Sequence, residues 1–383
     1  MRNFSVPATF AAFIAVAPGS VFAQSQEDEL ETLRERVAAL EAETRTRPRL
    51  QFNVGENTNI TLYGFIRAEA FYDSDFQQGD LTRTSRIGEP VFATDGAFDT
   101  SVRVSRFGIR SSTETDIGTI GTQLEFDLFG SGGDDSGSPN LRLRHANVTI
   151  GDHWLVGQFW TNFMPLQHYP TTADFNGPVG ITFARVPQIR YTSSEINGFQ
   201  YSFSIEESNG TSTDPLLTAA AVYNSDIWSA RIAGLVGEAD SAGSSFSTEG
   251  ITISGSVQPW SGASFGATYV TGSGIGSLLI GGGAEVVGGA TNDVDGYTLE
   301  FRQQIGEKWN VGIVYGNESY DSPTTPSGGT IDFTDLESLF LNVFYEPTDR
   351  LRLGFEYSRG ERTTSTGTTF TADRIGTSIT FSF

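Results

Sequence analysis

From residue 60 to its end the chain alternates apolar and polar positions in short runs. Leu124, Phe126 and Leu128 interleave with Gln123, Glu125 and Asp127, and Leu141 and Leu143 interleave with Arg142 and Arg144. A period of two describes a strand with one apolar face and one wet face. Here the wet face carries full charges, so it meets water and not a packed core. Strands that are apolar on one side and charged on the other suit a membrane barrel around a water channel.

The pattern predicts sixteen strands, over 60–73, 101–115, 118–130, 140–150, 153–163, 187–195, 198–208, 215–225, 226–238, 247–259, 262–272, 293–305, 308–319, 333–346, 350–362 and 369–383. Tight turns alternate with long loops at 74–100, 131–139, 164–186, 209–214, 239–246, 273–292, 320–332 and 363–368. Short turns on one rim and longer loops on the other are the outer-membrane pattern, and an even count returns both termini to the short-turn, periplasmic rim. Trp154, Trp228, Trp260 and Trp309 all fall beside predicted short turns. Indole rings prefer the membrane–water boundary, so these four form the expected aromatic girdle. The final run ends with Ile379, Phe381 and Phe383 on one face.

The ends and the composition add to this picture. Residues 1–23 read as a secretory signal peptide, with Arg2, an apolar stretch over 6–17 and Val21-Phe22-Ala23 before the cut. Residues 24–50 follow as a helix and linker. Leu30, Leu33, Val37 and Leu40 occupy core positions of two heptads, and Glu29 with Arg34 and Arg36 with Glu41 make opposite-sign flanking pairs. Such pairs favour a parallel coiled coil, with a single amphipathic helix as the alternative reading. Pro48 ends the helix. Residues 51–383 remain for the barrel. No apolar run of 18 residues exists, which argues against membrane helices. There is no Cys, and a net charge of −22 argues against a nucleic-acid partner. His145, His153 and His168 share no ligand spacing and no nucleophile motif accompanies them, so neither a catalytic residue, a metal nor a cofactor is expected.

Arginine is unevenly spread. Between Arg190 and Arg302 the only cation is Arg231, whereas the first six strands are rich in arginine. At ~3.3 Å per residue, distances from the turns put most of these near mid-height. An Arg on the lipid face there would cost ~2–4 kcal/mol, so they face the lumen. The expected lining set is Arg67, Glu69, Arg106, Arg110, Glu125, Asp127, Arg142, Arg144, Arg185 and Arg190. Two readings stay open. The arginines pair with the acids and satisfy the wall, or a surplus of guanidinium selects anions, with small carboxylates as natural bidentate passengers. Loop 164–186 is long, aromatic and rich in proline, and its place between strands five and six suits a loop folded into the lumen. Acid in the other loops reads as solvated surface, with divalent cations near lipopolysaccharide phosphates as the sharper alternative.

These runs resemble the DcaP-like family of trimeric outer-membrane porins. The residues that carry the resemblance are LYGFIRAEAFYD (62–73), SVRVSRFGIRSSTET (101–115), LEFDLFG (124–130), LRLRHANVTIG (141–151), WLVGQFWTNFMPL (154–166), FNGPVG (175–180) and PQIRYT (187–192). The resemblance implies a sixteen-stranded barrel, a homotrimer in the bacterial outer membrane among lipid and lipopolysaccharide, a periplasmic N-terminal coil, and uptake of small anions including dicarboxylates. It places the arginine-lined pore on Arg67, Arg106, Arg110, Arg142, Arg144 and Arg190. The Gly-rich loop 272–290 matches no motif of that family. The expected protein is therefore an all-β membrane barrel forming an anion-preferring channel. A surface-interaction barrel (adhesin or phage receptor) and a general non-selective porin are the alternatives.

Overall fold

The computed structural model describes residues 50–130, 140–208, 212–326 and 328–383. The expected signal peptide, heptads and loop 131–139 lie outside the described residues. The barrel strands are β1 (Thr58–Asp73), β2 (Arg106–Thr115), β3 (Gly118–Gly130), β4 (Asn140–Ile150), β5 (Trp154–Trp160), β6 (Arg185–Thr192), β7 (Phe199–Glu206) and β8 (Leu216–Asn224). They continue as β9 (Trp228–Ser241), β10 (Ser244–Val257), β11 (Ala263–Ser273), β12 (Asp293–Ile305), β13 (Trp309–Thr324), β14 (Phe333–Thr348), β15 (Leu351–Thr363) and β16 (Thr369–Ser382). Each pairs antiparallel with the next, and β16 closes on β1 from Phe65↔Ser382 to Asp73↔Arg374. Closure leaves the barrel strands without a free edge. Below that junction the short strand Leu50–Val54 pairs with the foot of β1.

Strand boundaries depart from the sequence reading most tellingly in three places. The run 101–115 is broken: Ala97–Ser101 pairs with the upper part of β1, and β2 begins again at Arg106. Between Ser101↔Glu69 and Arg106↔Phe65, five steps on one chain oppose four on the other, which is a bulge. The Ser105 hydroxyl repairs the ladder there, accepting from Arg67 N at 3.0 Å and donating to Arg67 O at 3.2 Å. The expected loop 239–246 is a tight hairpin, because Ala242 and Gly243 both take positive φ, at 50° and 79°. The polar ends of β9 and β10 look like loop but pair as strand. Strand β13 runs on to Thr324 through a register shift after Ser319.

The two faces separate as the alternation requires. Leu124, Leu141, Leu143, Ile189, Ile251, Ile253, Phe355 and Ile379 are exposed on the outer surface, while Glu125, Asp127, Arg144, Thr252, Ser254 and Glu356 are buried inside. Trp154, Trp228, Trp260 and Trp309 are all exposed beside short turns. Each packs on an aromatic neighbour, as Trp309 does on Tyr345 at 4.5 Å and Trp228 on Tyr223 at 4.7 Å.

Two loops, 161–184 and 274–292, run inside the barrel and build an apolar core there. Phe163, Val179, Ile275, Leu278 and Leu279 from the loops meet inward-facing Leu216, Leu235, Val270, Val294, Phe333 and Leu336 from the wall. The crossing is close at Gly180 (φ 80°): a Cβ there would stand 2.1 Å from Asn317 O, and one on Gly296 would stand 2.8 Å from Gly180 Cα. Only glycine permits that approach.

At the long-loop rim, Glu89 clamps two outer loops. It accepts from Thr330 N (3.0 Å), Thr330 Oγ1 (2.6 Å) and Ile331 N (3.1 Å), and pairs with Arg362 at 3.3 Å. Burial pushes the carboxyl up, but the Thr330, Ile331 and Arg362 donors outweigh it and hold it at about 2. The folded value lies below the unfolded ~4.3, so the clamp is at full strength above the latter and is lost as pH falls through the former. At pH 3 Glu89 is still ionised. Pepsin at that pH should therefore leave residues 325–332 uncut in the parent chain and cut them in Glu89→Ala; equal resistance would show that other contacts hold the loop.

Candidate functional site: an arginine wall facing the inner loop

The site begins with Glu125 and Asp127, two residues apart on β3 and therefore both inside. Neighbouring strands supply their cations. Arg142 grips Asp127 with two bonds, Nε to Oδ1 at 2.9 Å and Nη2 to Oδ2 at 2.6 Å. Arg144 bridges both acids, Nε to Glu125 Oε1 at 2.8 Å and Nη1 to Asp127 Oδ2 at 2.9 Å. Arg106 on β2 stands 3.5 Å from Glu125. Tyr63 donates to Glu125 at 3.0 Å and accepts from Gln123 at 2.8 Å. A bulge in β4 turns both Arg144 and His145 inward, so His145 Nε2 lies 3.7 Å from Glu125.

Aromatic rings interleave with this network. The guanidinium carbons of Arg103 and Arg142 lie 4.7 and 5.1 Å from the Phe129 ring centre. Phe129 stacks on Phe175 of the inner loop at 5.5 Å. Arg144 lies 5.4 Å from Phe175, and Arg185 lies 4.9 Å from Trp160. Flat guanidinium on a ring face keeps its N–H groups free in the ring plane direction and gains cation–π attraction.

The structure divides the ten residues expected to line the bore. Arg144 is 1% exposed and Asp127 0%, and Glu125 and Glu69 are also buried. These four lie under cover because the inner loop packs across them, which local alternation cannot report. Arg67 pairs with Glu69 at 2.6 Å and donates to the carbonyl of Ala173 in the loop. Arg190 lies 4.0 Å from Glu206 and donates to Trp160 O. Arg142 keeps a third of its side chain exposed, and Arg110 is exposed with its guanidinium 4.3 Å from the Tyr63 ring. Neither Arg110 nor Arg185 has an ion pair among the described residues.

Other residues matter that sequence reasoning passed over. Wall carboxylates hold the inner loops by their main chain. Glu356 accepts from Ala173 N and Asp174 N at 2.7 and 2.8 Å, and Glu318 accepts from Gly180 N and Gly281 N at 2.9 and 3.2 Å. Glu300 accepts from Thr171 N at 2.8 Å, and Glu206 from Asn162 N at 2.7 Å. Arg231 donates to the carbonyl of Asn162. Its isolation between Arg190 and Arg302 was the one sequence signal for it. His168 sits between Ser254 and Ser229 hydroxyls, 2.7 Å from each, and no three potential ligands gather for a metal among the described residues.

The model of the DcaP outer membrane protein family matches residues 38–207, the part of the chain that builds the arginine wall and the inner loop. Among solved structures, the chain is similar to the outer membrane channel DcaP of Acinetobacter baumannii, with 24% identity over 87% of this chain and 99% of that one, and a TM-score of 0.78. It is similar in fold to the trimer form of OmpT from Vibrio cholerae (16% identity, 86% and 100% covered, TM-score 0.59). It is also similar in fold to an anion-selective porin from Comamonas acidovorans (15%, 85% and 100%, 0.57). No curated protein matches the sequence. All three solved structures share the closed porin barrel with this chain. Over residues 38–207 the chain is thus similar to the DcaP outer membrane proteins, and its closed sixteen-stranded barrel has the outer-membrane porin fold.

Proposed function

We propose that the chain is a homotrimeric porin of the bacterial outer membrane whose narrowed bore passes small anions, carboxylates and dicarboxylates foremost. One observation carries this reading. On the sector β1–β7, Arg67, Arg106, Arg110, Arg142, Arg144, Arg185 and Arg190 face Glu69, Glu125, Asp127 and Glu206, so seven cations meet four anions there, whereas Glu300, Glu318 and Glu356 of the opposite wall bond the main chain of the inner loops. Against low-dielectric walls such a surplus attracts anions and repels cations. Bidentate guanidinium suits carboxylate among them. The apolar outer band would meet lipid, with lipopolysaccharide at the long-loop rim. The N-terminal segment, entering at the foot of β1, would lie in the periplasm.

Reversal potential across a KCl gradient tests this. The expected result is chloride preference, reduced by about twofold or more when Arg106 and Arg142 are both changed to Ala. Clear cation preference would overturn the proposal. A general, weakly selective porin is the second reading. The full pairing of Arg142 and Arg144 favours it, because a paired guanidinium contributes less field, and a permeability ratio near one would support it. Absence of conductance would point to a surface-interaction barrel.

A further inference from the structure

A cavity of about 90 Å³ opens in loop 74–96 at the long-loop mouth, walled by Phe76, Gln77, Gln78, Arg83, Arg86 and Phe92. Its loop is folded against the inner wall: a Cβ on inward-facing Gly360 would stand 2.5 Å from Ile87 Cδ1. The walls are preset. Phe76 bridges to Ala93, and Gln77 N donates to Phe92 O at 2.8 Å. The buried main chain of Gln78 donates to Asp73 at 2.9 Å, and its side-chain oxygen accepts from Arg83 N at 3.3 Å. The Glu89 clamp holds the far side.

Charge sets this cavity apart. The stretch around it is acidic, yet two arginines and no carboxylate line it. Three nearby acids are ion-paired, Asp73 with Arg374 at 2.6 Å, Asp80 with Arg103 at 3.1 Å and Glu89 with Arg362, while Asp99 accepts from Gln77 Nε2 at 2.8 Å behind the wall. Arg83 has no ion pair among the described residues. The remaining wall is aromatic, with the Arg86 guanidinium 5.1 Å from the Phe92 ring centre.

We infer that this cavity is a capture site for small carboxylates that carry an apolar body. The carboxylate would meet Arg83 and Arg86, and the body would lie against Phe76 and Phe92. A charge without a body, such as acetate, uses only half of the site. The inference deepens the anion-channel reading and rests on it: the mouth would concentrate anions that the arginine wall then passes.

Benzoate titrated calorimetrically into the full-length protein in detergent tests it, with acetate as the comparison. The expected result is that Arg83→Gln combined with Arg86→Gln weakens benzoate binding about tenfold, the usual worth of a lost charge-assisted pair. Phe92→Ala should weaken benzoate several-fold and leave acetate unchanged. Reversal potential in KCl should move little in the double variant and clearly in Arg185→Gln, which belongs to the wall. Undiminished benzoate affinity in the double variant, or equal affinity for acetate and benzoate in the parent, would overturn the capture site. A cation-selective parent channel would instead overturn the anion-channel reading beneath it. Unchanged heat-modified mobility on gels establishes that each variant is folded.

Discussion

Changing Arg144 to alanine should destabilise the folded barrel by about 3 kcal/mol, toward the lower end of the cost of breaking a buried charge network. Arg144 is almost wholly covered and, among the described residues, is the one side chain that bonds both Glu125 and Asp127. Without it, Asp127 keeps Arg142, but among the described residues Glu125 keeps only Arg106 at 3.5 Å, the Tyr63 hydroxyl and His145 at 3.7 Å. A buried carboxylate loses far more on desolvation than those contacts return. Urea titration in detergent micelles, read by heat-modified mobility, measures the shift. Lysine should rescue little, because one ammonium cannot reproduce the two-point bridge. Arg110→Ala is the control and should stay within about 0.5 kcal/mol, since its exposed side chain loses only a ring contact. An Arg144→Ala barrel as stable as the parent would mean that water enters and solvates the two acids.

The second large effect is on conductance. Glu318→Ala with Glu356→Ala should at least roughly double single-channel current and make it noisy, because four main-chain N–H groups of the inner loops lose their acceptors. Each buried donor left without a partner costs about 1–3 kcal/mol. Those donors are Ala173, Asp174, Gly180 and Gly281. The loss falls on a loop already pressed close to β12 and β13 at Gly180. Glutamine at both sites retains one acceptor oxygen each and should restore most of the quiet, small current. If the double alanine variant conducts like the parent, the apolar contacts of Phe163, Val179 and Leu278 suffice to hold the loops.

The wall of the barrel was legible because its alternation is local. Leu141 and Leu143 out with Arg142 and Arg144 in is a statement about one strand. It holds until a bulge intervenes, as it does at His145. The same reasoning failed at the hairpin 239–246, where polar residues above the membrane look like loop although their main chains pair. It also missed the carboxylates that hold the loops. Glu318 and Glu356 are ordinary inward-facing acids by sequence, and their partners are more than a hundred residues away in three of the four bonds.

By itself, then, the order of residues determined the number of strands, which face of each meets lipid, and which wall is rich in arginine, since period and charge are properties of short segments. Only the tertiary structure decided which arginines reach open space and which are spent on pairing. That outcome depends on what the inner loop covers, and the loop's place is set by main-chain bonds and glycine contacts with strands distant in the chain.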